Sequence, residues 1–249
     1  MGLATFRGGV HTYEGKNLSE YCAIKDLEFD GDYVFPMSQG IGAPSKPIVA
    51  VGDYVLAGQK IAEPGGFISA VVTSSVSGTV KAIEPRLTTM GSYVQSIVIT
   101  SDGLFKEVEG IGTERSLDDL TKNDIRNIIK EAGIIGMGGA GFPTHVKLAP
   151  KNDDDIDYVI ANGSECEPML TNDHRLMVEE PERVVGGMKV VLSLFPNAKG
   201  IIAIENNKQT AIDKIRHLIE GEKNISVVVM RTKYPEGGER QLIYAVTGR

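Results

Sequence analysis

The densest chemical signal in the sequence is Gly136-Met137-Gly138-Gly139-Ala140-Gly141-Phe142-Pro143-Thr144, with Lys147 just beyond. So much glycine in so short a run builds neither a stable helix nor a strand. It builds a tight loop that lets main chain approach a ligand closely. Successive N–H groups turned to one side form an anion cradle, stronger where a helix begins, and Thr144–Leu148 is placed to begin one. Lys147 adds a point positive charge suited to phosphate. The run is not a P-loop, because no Gly-Lys-Ser/Thr follows the glycines. It is not the dinucleotide fingerprint after a strand either, because residues 121–132 read as a helix. Phe142 suits either a ligand ring or core filling, and Pro143 stiffens the exit. The competing reading is an ordinary tight connection.

A second polar turn follows, Asn162-Gly163-Ser164-Glu165-Cys166-Glu167-Pro168, with Asp173 close behind. Asn162 offers both a donor and an acceptor to a ring carbonyl or ring nitrogen. Glu165, Glu167 and Asp173 could take hydroxyl or amide groups of a ligand. They could instead coordinate a metal, but His174 and Cys166 show no ligand spacing, and no metal site is assigned. Tyr234-Pro235-Glu236-Gly237-Gly238-Glu239 could close the same pocket through Gly238 and Glu239, or form a surface turn. The histidines, His11, His145, His174 and His217, offer no Ser–His–Asp or Cys–His arrangement, and no catalytic residue is named. Glycines, Asn, carboxylates and Lys suit electron or hydride transfer in which a cofactor performs the chemistry.

The elements that must hold these residues divide in two. Residues 1–30 show weak periodicity and read as an arm. Residues 31–105 alternate short Val/Ile runs with Gly, Pro and Asp turns, an all-β pattern with strands expected at Tyr33–Pro36, Ile48–Val51, Tyr54–Leu56, Phe67–Val72, Gly78–Ile83 and Val94–Thr100. Loose similarity between Val51–Gln59 and Val76–Val80 suggests a small barrel or flattened sandwich. After a polar boundary, residues 118–249 read as a parallel α/β domain. A capping box at Thr121/Asp124 opens a helix with Ile125, Ile128, Ile129 and Ala132 on one stripe and Gly133 past its end. Strands Tyr158–Ala161, Gly200–Glu205 and Ser226–Met230 alternate with helices Pro181–Phe195 and Lys208–Glu220. Val184, Met188, Leu192 and Phe195 face inward on the first helix, and Ala211, Ile215, Leu218 and Ile219 on the second. Parallel strands bind ligands at their carboxyl ends, where Asn162–Glu167, Glu205–Asn207 and Arg231–Tyr234 stand.

Bulk properties agree with such a reading. The 249 residues carry a formal net charge of -7, which disfavours a nucleic-acid partner. Cys22 and Cys166 are too few for a disulfide framework and point to a reducing compartment. No run has the length of a membrane span and no leader is visible, so membrane association is expected through partner subunits.

The glycine loop from Gly138 to Thr144, with Lys147, resembles the flavin loop of the NADH-oxidising flavoprotein subunit of respiratory complex I. The chain more closely resembles RnfC, the electron-entry component of the Rnf electron transport complex. Phe6-Arg7-Gly8-Gly9-Val10-His11, Gln39-Gly40-Ile41-Gly42-Ala43-Pro44, Val51-Gly52-Asp53 to Gly58-Gln59 and Ser75–Val80 carry that resemblance through the first half. Asn162–Pro168, Asp173 and Tyr234–Glu239 carry it through the second. The resemblance implies an α/β Rossmann-like domain with a parallel sheet, preceded by a small all-β lipoyl/biotinyl-carrier-like barrel-sandwich domain. The hairpin around Thr73–Ser77 has no Lys to carry lipoate or biotin. The resemblance further implies binding of NADH and non-covalent FMN, with hydride passing between stacked rings. Gly136, Gly138, Gly139, Ala140, Gly141 and Lys147 would hold FMN and Asn162 its polar edge. Phe142, Glu165 and Glu167 would border the nicotinamide nucleotide. Asp173, Gly238 and Glu239 fall in the matching motifs.

The implied partners are the other subunits of a membrane-bound ion-translocating complex and, indirectly, ferredoxin. The implied place is the cytoplasmic face of the membrane, as a peripheral subunit. Two departures stand out. Gly40 occupies a position where the family more often has His. Relatives also carry two four-cysteine 4Fe-4S sites near their C-terminus, and Cys22 and Cys166 cannot supply eight thiolates. The chain therefore reads as a C-terminally truncated form, with clusters expected only in the missing region. A cobalamin-reducing flavoprotein of the same superfamily and a scaffold module with a vestigial pocket are the alternatives.

Overall fold

Alternating Val/Ile runs punctuated by glycine turns fold into antiparallel sheet in the first half, and longer periodic segments fold into parallel α/β structure in the second. The computed structural model describes residues 2–27, 31–137 and 139–249. The chain falls into two compact units, residues 27–151 and residues 1–26 with 152–249.

In the unit 27–151, strands β1 (Asp32–Pro36), β7 (Tyr93–Ser101), β6 (Gly78–Leu87) and β3 (Tyr54–Val55) form a four-stranded sheet in that order. A second sheet joins β2 (Lys46–Pro47), β4 (Lys60–Glu63) and β5 (Val72–Thr73), and both sheets pair antiparallel throughout. The β6–β7 register runs from Gly78 opposite Ser101 to Leu87 opposite Tyr93, with a bulge near Lys81. Val55, Ile61, Val76, Val80, Ile97 and Ile99 build the enclosed core of this curled barrel-sandwich. Two expected strands are displaced. Pairing at 46–47 replaces Ile48–Val51, and Val72–Thr73 is all that forms of Phe67–Val72, where Phe67 stands exposed with no strand partner.

Helix α1 (Lys122–Glu131) begins at the Thr121 capping box, with Asp124 closing it reciprocally. Ile125 and Ile129 are buried, whereas Ile128 and Ala132 are exposed, so the apolar stripe is narrower than its spacing suggested. Gly133, at φ 67°, ends the helix against Val71: a Cβ there would lie 2.5 Å from the Val71 carbonyl oxygen. The glycine loop follows, and α2 (Thr144–Lys147) opens directly after it.

The other unit is a Rossmann-like parallel sheet in the order β10 (Ile225–Met230), β9 (Lys199–Glu205), β8 (Tyr158–Gly163). Ala161 pairs with Ile202 and Val228 with Ala203. Connecting helices are α3 (Asn172–Glu179), α4 (Pro181–Leu192) and α5 (Gln209–Leu218), and α6 (Glu239–Thr247) follows β10. Ile201 and Ala203 pack with Leu242 of α6. Strand alternation turns Gly200, Ile202 and Ile204 to the opposite face, where Gly200 lies against Met188 and Leu192 of α4. Val185 rather than Val184 is buried on α4, and Ile212 joins Ala211 and Ile215 on α5 in place of Leu218. The helices α3 and α6 carry no strong periodic signal and lie outside the elements expected from the sequence.

Residues 2–26 belong to this second unit as an extended arm. Ala4 bridges in parallel to Met230 and Val10 antiparallel to Tyr234. Gly9, at φ 85°, is obligatory there: a Cβ would lie 2.7 Å from the Tyr234 carbonyl oxygen.

Candidate functional site

The glycine loop is shaped by its own main chain and by the neighbouring segment 39–41. Gly136 N–H donates to the Phe142 carbonyl at 2.9 Å and Gly141 N–H to the Gly136 carbonyl at 3.1 Å, closing the loop. Those two amides are therefore committed and cannot also hold an anion. Gly141, at φ 60°, sits so close to Gly40 that a Cβ on either would fall 2.8 Å or less from the other's main chain. Ile41 N–H donates to the Ala140 carbonyl at 2.8 Å, which fixes the loop's far side. Among the described residues, the N–H groups of Gly139 and Ala140 have no carbonyl partner, and a Cβ on Gly139 would meet open space. Gly138 lies outside the described residues. Phe142 is half-buried, and Lys147 is exposed at the end of α2 with no ion-pair partner among the described residues. The loop thus leaves two amides without a carbonyl partner, fewer than its glycine count suggested.

At the carboxyl end of the parallel sheet the carboxylates divide their work. Asn162 and Gly163 close β8. The Asn162 amide is taken up by its own chain, accepting from Ser164 N–H at 3.1 Å and donating to the Gly237 carbonyl at 2.9 Å. Glu165 is buried and accepts from the Asp173 and His174 N–H groups at 2.7 and 3.3 Å, so it caps the start of α3. A carboxylate at that end is favoured by the helix dipole. Glu167 is exposed, and Asp173 is exposed on the first turn of α3. Gly238 precedes α6, where Glu239 takes the exposed first position. Cys166 accepts from the Gly237 N–H at 2.9 Å, and burial pushes its thiol up, which keeps it protonated. His174 meets Thr210 at 3.0 Å, and burial lowers its pKa, with nearby Lys208 lowering it further. No group of three or more His, Cys, Asp or Glu among the described residues could hold a metal.

Beneath this turn lies a buried ionic cluster in which the sequence marked Glu205 at a strand end but not Lys208 or Lys16. Lys208 is 2% exposed and Glu205 1%, and they pair at 2.7 Å. Glu205 also accepts from the Glu165 N–H at 3.1 Å, while its second oxygen has no partner. Lys16, from the arm, donates to the carbonyls of Glu165, Glu167 and Leu170 at 2.6, 2.9 and 2.7 Å. Burial lowers its pKa, and nearby Lys208 lowers it further. Lys233 reaches the opposite way, donating to the Phe6 and Gly8 carbonyls and lying 3.9 Å from the Phe6 ring centre. A narrow crevice opens between arm and strand ends, lined by His11, Thr12 and Glu14 on one side and by Cys166, Glu205 and Tyr234 on the other. No sequence signal short of the fold reveals Lys16, because its acceptors lie about 150 positions away.

Glu236 is fully buried, with one oxygen unpartnered and the other 3.4 Å from the Thr5 hydroxyl. Burial raises its pKa above the ordinary 4.5, against the pull of Lys233. The folded state then keeps a proton that the unfolded chain releases. Stability falls as pH rises from about 4.5 toward the folded value. Glu236→Gln, which mimics the neutral acid, is expected to flatten that decline. Chemical denaturation at a series of pH values checks it: the variant's advantage grows from pH 4 to pH 7 and vanishes at the acid end.

A family described as the Nuo51 FMN-binding domain matches residues 129–249, and one described as the RnfC barrel sandwich hybrid domain matches residues 4–104. The C subunit of the Na(+)-translocating ferredoxin:NAD(+) oxidoreductase complex of Acetobacterium woodii is 43% identical over 245 residues, 98% of this chain and 55% of that protein. The chain is a homologue of the C subunit of such complexes. The corresponding subunit of the proton-translocating complex of Clostridium ljungdahlii is 44% identical over 250 residues, 99% of this chain and 54% of that protein. Its counterpart in an ion-translocating oxidoreductase complex from Haemophilus influenzae is 37% identical, across 99% of this chain and 38% of its own length. The chain thus spans about half the length, or less, of these relatives. In this RnfC homologue the glycine loop and the turn after β8 both fall within the FMN-binding-domain match. The arm falls within the barrel-sandwich match although it packs with the parallel sheet. Among the described residues no helix is long and apolar enough to cross a membrane.

Proposed function

We propose that this chain is the electron-entry part of a membrane-associated, ion-translocating complex, taking electrons from NADH through FMN. The observation that carries the reading is the glycine loop. Its closing hydrogen bonds leave the Gly139 and Ala140 amides without a carbonyl partner, with open space at Gly139, within a segment that matches an FMN-binding domain. Those amides and Lys147 would hold the FMN phosphate or its polar edge. Asn162, Glu167, Asp173, Gly238 and Glu239 are proposed to border the nucleotides, and Phe142 to pack on a ring. Glu165 acts one step removed, by anchoring α3. When bound, the flavin accepts electrons in pairs and passes them on singly, and the protein's share is orientation and electrostatic tuning. Onward transfer to iron–sulfur centres and ferredoxin requires thiolates beyond Cys22 and Cys166. The proposed location is the cytoplasmic face of the membrane, against other subunits of the complex.

Titrating the purified chain with FMN tests the reading. A bound, perturbed flavin absorption band that NADH bleaches is the expected result. Saturating FMN without binding overturns the proposal.

A further inference from the structure

The arm 2–26 is held on the parallel-sheet unit by two buried lysines acting in opposite directions. Lys16 spends all three N–H donors on carbonyls of the turn 165–170, and Lys233 donates to carbonyls of the arm. A fastening of this kind places His11, Thr12 and Glu14 over the carboxyl ends of the strands, opposite Cys166 and Glu205. Glu14 is fixed further by the Asn207 amide at 2.7 Å, and its carbonyl accepts from Met169 N–H. The cations around the crevice are largely engaged: Lys16 spends all three donors, Lys208 donates to Glu205 and Asn207, and Lys233 donates to Phe6 and Gly8. The acceptors are not, since one buried oxygen of Glu205 has no partner. A crevice whose lysines are largely engaged by neighbouring oxygens, beside an unpartnered carboxylate oxygen, does not favour phosphate. It favours a neutral group that donates hydrogen bonds, such as an amide or a hydroxyl.

We propose that the N-terminal arm completes the nucleotide site, receiving the uncharged, donor-bearing edge of a bound nucleotide, and that Lys16 is the positioning residue that sets the arm in place. This rests on the nucleotide-binding reading above. The edge could belong to the flavin ring or ribityl chain of FMN, or to the carboxamide or ribose of NADH.

Hydrogen exchange of the whole chain separates these sources. It is measured alone, with FMN, and with FMN plus NADH under anaerobic conditions. Slowing of the amides of residues 9–17 by roughly tenfold is expected, since ligand contact raises the free energy of local opening. Slowing by FMN alone assigns the edge to the flavin, and slowing only after NADH assigns it to the nicotinamide nucleotide. Two variants separate positioning from packing. His11 is exposed, so His11→Ala is expected to weaken the affinity of that same nucleotide about fivefold, with the melting temperature held within about 2 °C. Lys16→Met is expected to abolish the nucleotide-dependent protection while β8 to β10 keep their slow exchange. If FMN and NADH bind but neither alters exchange in the arm, and His11→Ala binds as the parent does, the proposal is overturned and the nucleotide reading stands. If neither nucleotide binds, both fall.

Discussion

Lys208→Met is expected to destabilise the parallel-sheet unit by about 3–5 kcal/mol, the usual cost of removing one partner from a buried ion pair. The reason is what remains. Glu205 and Glu165 are both buried, and Lys208 lies 2.7 Å from one and 3.9 Å from the other. Without the ammonium group their charge is left uncompensated in a poor dielectric. Urea unfolding monitored by circular dichroism measures the loss. The deficit should shrink as pH falls toward the ordinary glutamate range, because burial raises Glu165 and loss of Lys208 removes a cation that holds it down, so its protonation relieves uncompensated charge. The double variant Lys208→Met with Glu205→Gln should recover much of the stability at neutral pH. A single variant within about 0.5 kcal/mol of the parent would show that the pair contributes nothing.

Ala140→Asp is expected to lower FMN affinity by roughly 10- to 100-fold while leaving stability nearly unchanged. Ala140 is exposed and already carries a Cβ, so the substitution meets no steric barrier. It sets a carboxylate next to the free amides proposed to meet the cofactor's phosphate or polar edge. Like charges about 4 Å apart repel by about 4 kcal/mol at an effective dielectric of 20, and salt screens part of that. Ala140→Asn, nearly the same shape without the charge, should bind within a few-fold of the parent. Flavin fluorescence titration at two salt concentrations distinguishes them. Equal affinity for Asp and Asn variants would remove the loop from the phosphate site.

Sequence periodicity made the parallel sheet legible because β8, β9 and β10 are short apolar runs separated by amphipathic helices. The Thr121 capping box was legible because every residue it needs lies within four positions. Helix α3 was not, because part of its N-terminal stabilisation comes from Glu165, seven positions before the helix begins, and that carboxylate reads equally well as a ligand contact. The glycine loop was visible from composition alone. Its capacity was not, because composition cannot tell which amides a loop spends on itself: Gly136 and Gly141 close the turn and leave Gly139 and Ala140. Phe67–Val72 has the residues of a strand, yet only its end finds a partner. Lys16 was invisible for the opposite reason, since a lysine in a weakly patterned arm looks solvated until the acceptors from 165–170 surround it.

The arm's attachment also orders events during synthesis. Residues 2–26 are made before the strands they join: their bridging partners at Met230 and Tyr234 are translated more than two hundred codons later. The intervening stretch 27–151 is a self-contained body, able to acquire its structure while the leading segment waits. Chain entropy must be surrendered across that whole span before Lys16 and Lys233 engage, which makes docking of the arm a late step in folding.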